Sequence, residues 1–283
     1  VTEILIERLP TTVELAFYAL LFASIAGVLL GLIAALRRNS RTDVVTMFVA
    51  ILGVSIPIFV LALILQFIFA VWLPGVTEDL FGVRVGLPPS GRLSPGLQFD
   101  TLPEAWGLEG LSGLPRAFLD FMSGIYTVSF LITGQFKQWI DAVQHLILPV
   151  IALGTISLAI IARITRSSLL EVLGLDYIRT ARAKGLTQNA VVRKHAFKNA
   201  LIPVITFIGI DFGVMMSGAI LTESVFSWPG VGREIYLAIG QRDWPIVMGG
   251  VIVIVLVVMV INLLVDISYA FLDPRIRYGG GSK

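Results

Sequence analysis

Residues 176–203 read DYIRTARAKGLTQNAVVRKHAFKNALIP, a basic segment set between two long apolar runs. It carries Arg179, Arg182, Lys184, Arg193, Lys194 and Lys198, with Gly185 between its two helix-like halves. Before it lies HLILPVIALGTISLAIIA (145–162), and it leads into ALIPVITFIGIDFGVMMSGAIL (200–221). A hydrocarbon core of about 30 Å needs around 20 mostly apolar residues per helix, so both flanks read as spans. A short polar tip carried on two spanning helices is the pattern that decides the fold.

The rest of the chain agrees. Of 283 residues, 56% are hydrophobic and only 14% charged, with mean hydropathy +0.89. Soluble domains carry about 25% charged residues, so the expectation is an all-α polytopic membrane protein. Spans are expected at about 13–36, 44–73, 145–162, 200–221 and 246–272, five in all. Pro10-Thr11-Thr12 resembles a helix start with a threonine cap. Pro57 removes one backbone donor and is expected to kink the second span. Residues 74–144 form a long Gly- and Pro-rich connection, expected outside, with an interfacial or docked helix at 117–133. Residues 1–283 are read as a single transmembrane domain, and 163–200 as a loop on the opposite side from 74–144.

Charge sets the orientation. With five spans, 14 of the 21 Lys/Arg fall on the side of 37–43, 163–199 and the tail after 272. The positive-inside rule makes that side, and the C-terminus, cytoplasmic. A chain that starts outside without a signal sequence leads to the expectation that an earlier spanning helix precedes this sequence.

No cysteine is present, so no disulfide framework or thiolate metal site is available. His145 and His195 lack an H-E-x-x-H arrangement and are assigned to no metal; His145 reads as the start of a helix. A Lys/Arg-rich segment invites a nucleic-acid reading, but this one is short, held between spans and lacks aromatic stacking residues, so no nucleic acid is expected as partner.

The basic segment is more specific than its charge. Leu175, Tyr177, Ile178 and Ala181 can share one side of a short helix while Arg179 and Arg182 point elsewhere. Gly185 suits a left-handed stop, and Thr187 can cap a second helix. The product is a slim knob able to enter a cleft on a cytoplasmic partner. These residues resemble the coupling loop of ABC-importer permease subunits. YIRTARAKGL followed by RKHAFKNALIPV is similar to the dipeptide/oligopeptide/nickel branch. So are ERLPTTVELA (7–16), LPPSGR (87–92), HLILPVIALG (145–154), TESVFSWPGVGREI (222–235) and LDPRIRYG (272–279). Arg179-Thr180-Ala181 stands where the general family has Glu-Ala-Ala, a variant common in the branch. The branch has six spans, and its first helix is not found in this sequence. Residues 96–139 are longer than the branch leads one to expect.

The resemblance implies the type I ABC-importer permease fold and half of a translocation pathway for peptides. It implies a second related permease subunit, two cytoplasmic ATPases holding ATP and Mg, and an external binding protein. Nickel complexes, glutathione or another small solute are alternative cargoes. The chain has no G-x-x-x-x-G-K-[ST] phosphate loop, so no cofactor and no ATP hydrolysis are expected in it. Tyr177, Ala181, Arg182, Ala183, Lys184, Gly185 and Leu186 are the expected ATPase-docking residues. Asp211, costly at a helix centre, joins Pro57 and Ser217 as candidates for the substrate pathway; its alternatives are a contact with the second permease or a local helix contact. Gly209 and Gly213, extended toward Ser217 and Gly218, form a small-xxx-small pattern. Phe226 and Trp228 are candidates for an external gate, with an aromatic-belt anchor as the competing reading. Glu14 and Asp266, nearer span ends, read as structural. A self-sufficient secondary transporter would need its own ion-coupling site and usually an internal repeat; a membrane enzyme would need a catalytic constellation. Neither pattern is present. Deleting residues 96–138 and measuring uptake tests the external connection: uptake is expected to fall, and an unchanged rate would make that connection dispensable.

Overall fold

The computed structural model describes residues 1–272, with the backbone alone at 266 and 268–272. The basic tail and most of LDPRIRYG lie outside the described residues, as does the side chain of Asp266.

Inside hydrocarbon every backbone N–H and C=O needs a partner within the chain, and every regular element among the described residues is a helix. In order they are α1 (Thr2–Leu36), α2 (Arg41–Ser55), α3 (Ile58–Gln66), α4 (Leu73–Phe81), α5 (Leu102–Ala105), α6 (Leu114–Ser123), α7 (Tyr126–Ile132), α8 (Phe136–Leu173), α9 (Asp176–Ala183), α10 (Gln188–Ala190), α11 (Phe197–Val225), α12 (Val231–Gln241) and α13 (Trp244–Leu272). A π-helical stretch, Phe67–Trp72, joins α3 to α4, and a second, Val191–Ala196, joins α10 to α11. Five helical stretches are long and apolar enough to span: Thr2–Leu36, Ile58–Phe81, Phe136–Leu173, Gln188–Val225 and Trp244–Val265.

Several expected boundaries move. The second span does not run 44–73 with a kink: α2 ends at Ser55, and α3 starts at Ile58 with Pro57 as its extended N-cap (φ −55°, ψ 137°). Proline lacks the N–H and disfavours helical backbone in the residue before it, so the chain breaks instead of bending. The helix then continues past Leu73 to Phe81 and stops at Gly82 in the left-handed region (φ 66°). The connection placed at 74–144 is therefore helical at both ends, since α8 begins at Phe136. Pro10 does not start α1 but lies within it. His145 likewise sits inside α8, its Nδ1 2.8 Å from the Asp141 carbonyl. The helix expected at 117–133 is two helices divided at Gly124. A Cβ on Gly124 would stand 2.7 Å from the Pro10 ring, so only glycine fits there.

The described chain sorts into two compact units, each discontinuous in sequence. One comprises Val1–Leu21, Ser55–Gly154 and Met215–Ile254. Phe226 packs there with Ala62, Leu148 and Ala152. Gln66 donates to the Pro89 and Val225 carbonyls at 2.7 and 3.1 Å, tying the end of α3 to Pro89 and to the end of α11.

The other comprises Phe22–Val54, Thr155–Val214 and the chain from Val255. Its organising element is α8. The most apolar window of the α8 span is 67% buried, against 11% for Ile58–Phe81 and Trp244–Val265, so α8 is interior and those two keep apolar faces outward. Gly27 and Gly31 of α1 form a small-xxx-small pair that lets the two backbones approach. A Cβ at Gly31 would lie 2.5 Å from the Ala162 carbonyl, and one at Gly27 2.8 Å from that of Leu158. Gly213 of α11 faces Val258 and Asn262 of α13.

Gly31→Leu should overpack this contact at a cost of about 1–3 kcal/mol, lowering thermal stability and membrane-inserted yield. Gly218→Ala, with no atom within 4 Å of the added Cβ, should leave both unchanged.

Candidate functional site

The tip that opened the sequence forms a small rigid mount with an exposed end. Ile178 and Ala181 are buried with Ala35, Leu169, Val172, Val191, Ala196 and Ala200. Burial of these apolar side chains fixes α9 across the ends of α8 and α11. Gly185 adopts φ 80°, and Thr187 caps α10 by accepting from the Ala190 N–H at 3.4 Å. The Tyr177 hydroxyl accepts from Asn199 Nδ2 at 2.8 Å and lies 3.3 Å from the His195 carbonyl, pinning α9 to the π-helical stretch. The Ser168 hydroxyl, buried, donates to the Ala200 carbonyl at 2.9 Å and joins α8 to α11 just above.

Of the expected docking residues, the structure exposes Arg182, Ala183, Lys184, Gly185 and Leu186 together at the tip. Ala181 is instead buried, 7% exposed, and supports the tip from within. Tyr177 is half in that role through its hydroxyl. Arg179 leans on Asp176 at 3.1 Å in open solvent, a pair worth little.

At the base of the same unit, Arg166 of α8 grips Asp43 through two bonds of 2.7 and 2.8 Å. Asn39, at φ 61°, donates its N–H to the same carboxylate at 2.9 Å. The Arg166 hydrogen bonds hold the Asp43 carboxyl below its ordinary 3.8. Its contribution to stability is thus full above that value and is lost only as pH falls further.

A second constellation lies in the other unit and was not assembled from the sequence. Arg92, 7% exposed, pairs with Glu14, which is 2% exposed. It also donates to Thr11 Oγ1 at 3.0 Å and to the Gly124 carbonyl at 2.7 Å. Its guanidinium lies 3.6 Å from the centre of the Tyr126 ring, a cation–π contact. Glu14 accepts from the backbone and hydroxyl of Thr127 at 2.8 and 2.7 Å. Next to it, Glu223 is fully buried and accepts from Thr12 Oγ1 at 2.7 Å and from the Arg233 N–H at 2.9 Å. Thr12 in turn accepts from the Val231 N–H at 2.9 Å, and Trp228 Nε1 donates to the Thr11 carbonyl at 3.0 Å. Gly230 and Gly232 are required because any Cβ there would strike Glu223.

Phe226 and Trp228, the candidate gate residues, are each 1% exposed within this network. An indole so enclosed has no face for lipid, which removes the aromatic-belt reading of Trp228. Pro57 and Ser217 are exposed, whereas Asp211 is 6% exposed, meets the Ser157 hydroxyl and leaves Oδ2 without a partner in the described chain. The signals for the missed network were ERLPTTVE, LPPSGR and SWPGVGRE, but no local spacing joins motifs separated by 78 or 211 positions.

The family model described as binding-protein-dependent transport system inner membrane component matches residues 27–278. The chain belongs to that family. Among curated relatives, the dipeptide transport system permease protein DppB of Alkalihalophilus pseudofirmus is 45% identical over 273 residues, covering 95% of this chain and 72% of that protein. The di/tripeptide transport system permease protein DppB of Pseudomonas aeruginosa is 44% identical, covering 95% and 71%. The dipeptide transport system permease protein DppB of Escherichia coli K12 is 42% identical, covering 98% and 74%. The chain is thus a multi-pass permease component of an ABC transporter, a transport subunit. The tip at 182–186 is exposed, whereas Glu14, Arg92 and Glu223 are buried.

Arg92→Met alone leaves Glu14 buried and without its cation, a loss of about 3–5 kcal/mol. Thermal unfolding in detergent should show that loss, and Arg92→Met combined with Glu14→Gln should recover part of it.

Proposed function

We propose that this chain forms half of the translocation pathway of an ATP-driven importer of di- and oligopeptides. The peptide assignment takes support from the names of relatives at 42–45% identity over nearly the whole chain. The remaining half comes from a second, related permease subunit. Two cytoplasmic ATP-binding subunits, holding ATP and Mg, dock beneath, and an external binding protein delivers the peptide. The distribution of Lys/Arg supports a bacterial or archaeal inner-membrane orientation with the C-terminus cytoplasmic.

The observation that carries the coupling role is the exposed tip at 182–186 on a base that is almost wholly buried. A contact surface that transmits force has to be exposed at its end and stiff at its root. Gly185 bends the chain and Ala183 keeps the tip slim, so a groove on the ATPase can close around it. Arg182 and Lys184 supply donors for carboxylates or carbonyls of that groove. ATP-closed partners favour one permease state only if they bind it better than the other, and the tip is where that difference enters. Phe226 and Trp228 are assigned to the external seal, and Ser217 and Pro57 to the pathway surface. The burial of Asp211 against α8 supports a helix-packing role for it.

Ala183→Glu places a charge and four extra heavy atoms beyond Cβ on the slimmest part of the tip. The variant should insert normally, lose peptide uptake by at least about tenfold, and lose the stimulation of ATP turnover by loaded binding protein. Normal stimulated turnover in reconstituted vesicles would sink the assignment.

A further inference from the structure

The turn at 226–230 is bonded from several sides, and Phe226, Trp228 and Gly230 within it are buried. The Gly91 N–H donates to the Phe226 carbonyl at 2.9 Å, and the Trp228 N–H donates to that of Glu223 at 2.8 Å. Trp228 Nε1 holds Thr11 of α1, and the Phe226 ring is packed among Ala62, Leu148 and Ala152. Such a turn is a plug. The polar links that hold it to α1 are few, and they run through the adjacent residues Thr11 and Thr12.

Thr12 is the pivotal member. Its single hydroxyl serves both partners at once, donating to Glu223 of α11 and accepting from the first N–H of α12. Rotating or withdrawing α1 breaks both bonds together. Glu223 would then be a fully buried carboxylate lacking one of its donors, and the Val231 N–H would be orphaned as well. Buried polar networks of this kind are stable when complete and costly when partly satisfied, so intermediate arrangements are disfavoured. That is the physical requirement for a two-state element.

We infer that Thr12 and Glu223 are positioning residues that latch α1 to the 223–233 turn and so keep the external end of this permease sealed until the latch is released as a unit. The inference rests on the proposed transport function and on Phe226 and Trp228 belonging to the external seal. It adds the residues that hold that seal and the helix that has to move. Glu14 and Arg92 brace the same stretch of α1 through Thr11, one residue away, and the latch contact itself is Thr12 to Glu223.

The test uses the complete complex, with its partner permease and ATPases, in vesicles loaded with radiolabelled dialanine and lacking ATP. Thr12→Val keeps the shape and removes both bonds; leak of dialanine should rise by at least about tenfold, the factor carried by the loss of two hydrogen bonds. Thr12→Ser restores the hydroxyl and should restore tightness, which a purely steric role would not require. Ala183→Glu should remain as tight as the native complex, so failure of the coupling reading and failure of the latch give different results. A second variant guards against poor folding of the first. The chain contains no cysteine, so a Thr12→Cys/Val231→Cys pair supplies its only thiols, and oxidation should stop uptake until reductant is added. A tight Thr12→Val complex with normal uptake, a Thr12→Ser complex as leaky as Thr12→Val, or an oxidised pair that still transports would each overturn the latch.

Discussion

A carboxylate taken out of water must be surrounded by donors, and two buried acids impose that condition on this chain. Glu14 and Glu223 are 2% and 0% exposed. Burying an acidic side chain without close polar partners is costly, so each gathers what lies near it in space. Glu14 collects Arg92 and both donors of Thr127, and Glu223 collects Thr12 and the start of α12. The glycines at 124, 230 and 232 follow from the same demand, because the backbone has to come close enough to serve. The turns at 87–92, 124–127 and 226–233 are thereby fastened to one short stretch of α1.

The unit that carries the exposed tip is held by other means. Its contacts on α8 are mostly apolar and close, set by Gly27 and Gly31 and by the cluster beneath α9. Between apolar helices in lipid the hydrophobic effect contributes little, so close van der Waals packing and a few polar links must supply the adhesion. The Asp43–Arg166 pair and the Ser168 bond to Ala200 are such links. A mount built this way resists deformation. At the tip itself Arg182, Ala183 and Leu186 are exposed.

Much of this was legible from residues alone. Apolar run length placed the five spans, because a bilayer demands about 20 apolar residues whatever the fold. Gly185 and Thr187 announced the shape of the tip, since left-handed backbone and an N-cap hydroxyl are local requirements. Local rules also misled. Pro10 looked like a helix start, yet α1 runs through it and its ring packs on Gly124. Pro57 looked like a kink, yet the chain breaks there and the spanning helix restarts at Ile58. Ala181 looked like part of the contact face and is instead its support.

The sequence by itself determined the class of molecule, the number of apolar spans in this stretch and the chemistry of the exposed tip. Each of these depends on composition or on neighbours within a turn or two of helix. Only the tertiary structure decided which acids are buried, which arginine answers Glu14, and that Thr12 links α1 to Glu223 across 211 positions. Those pairings depend on which helices lie side by side. Periodicity along one helix carries no record of the residue that faces it from another.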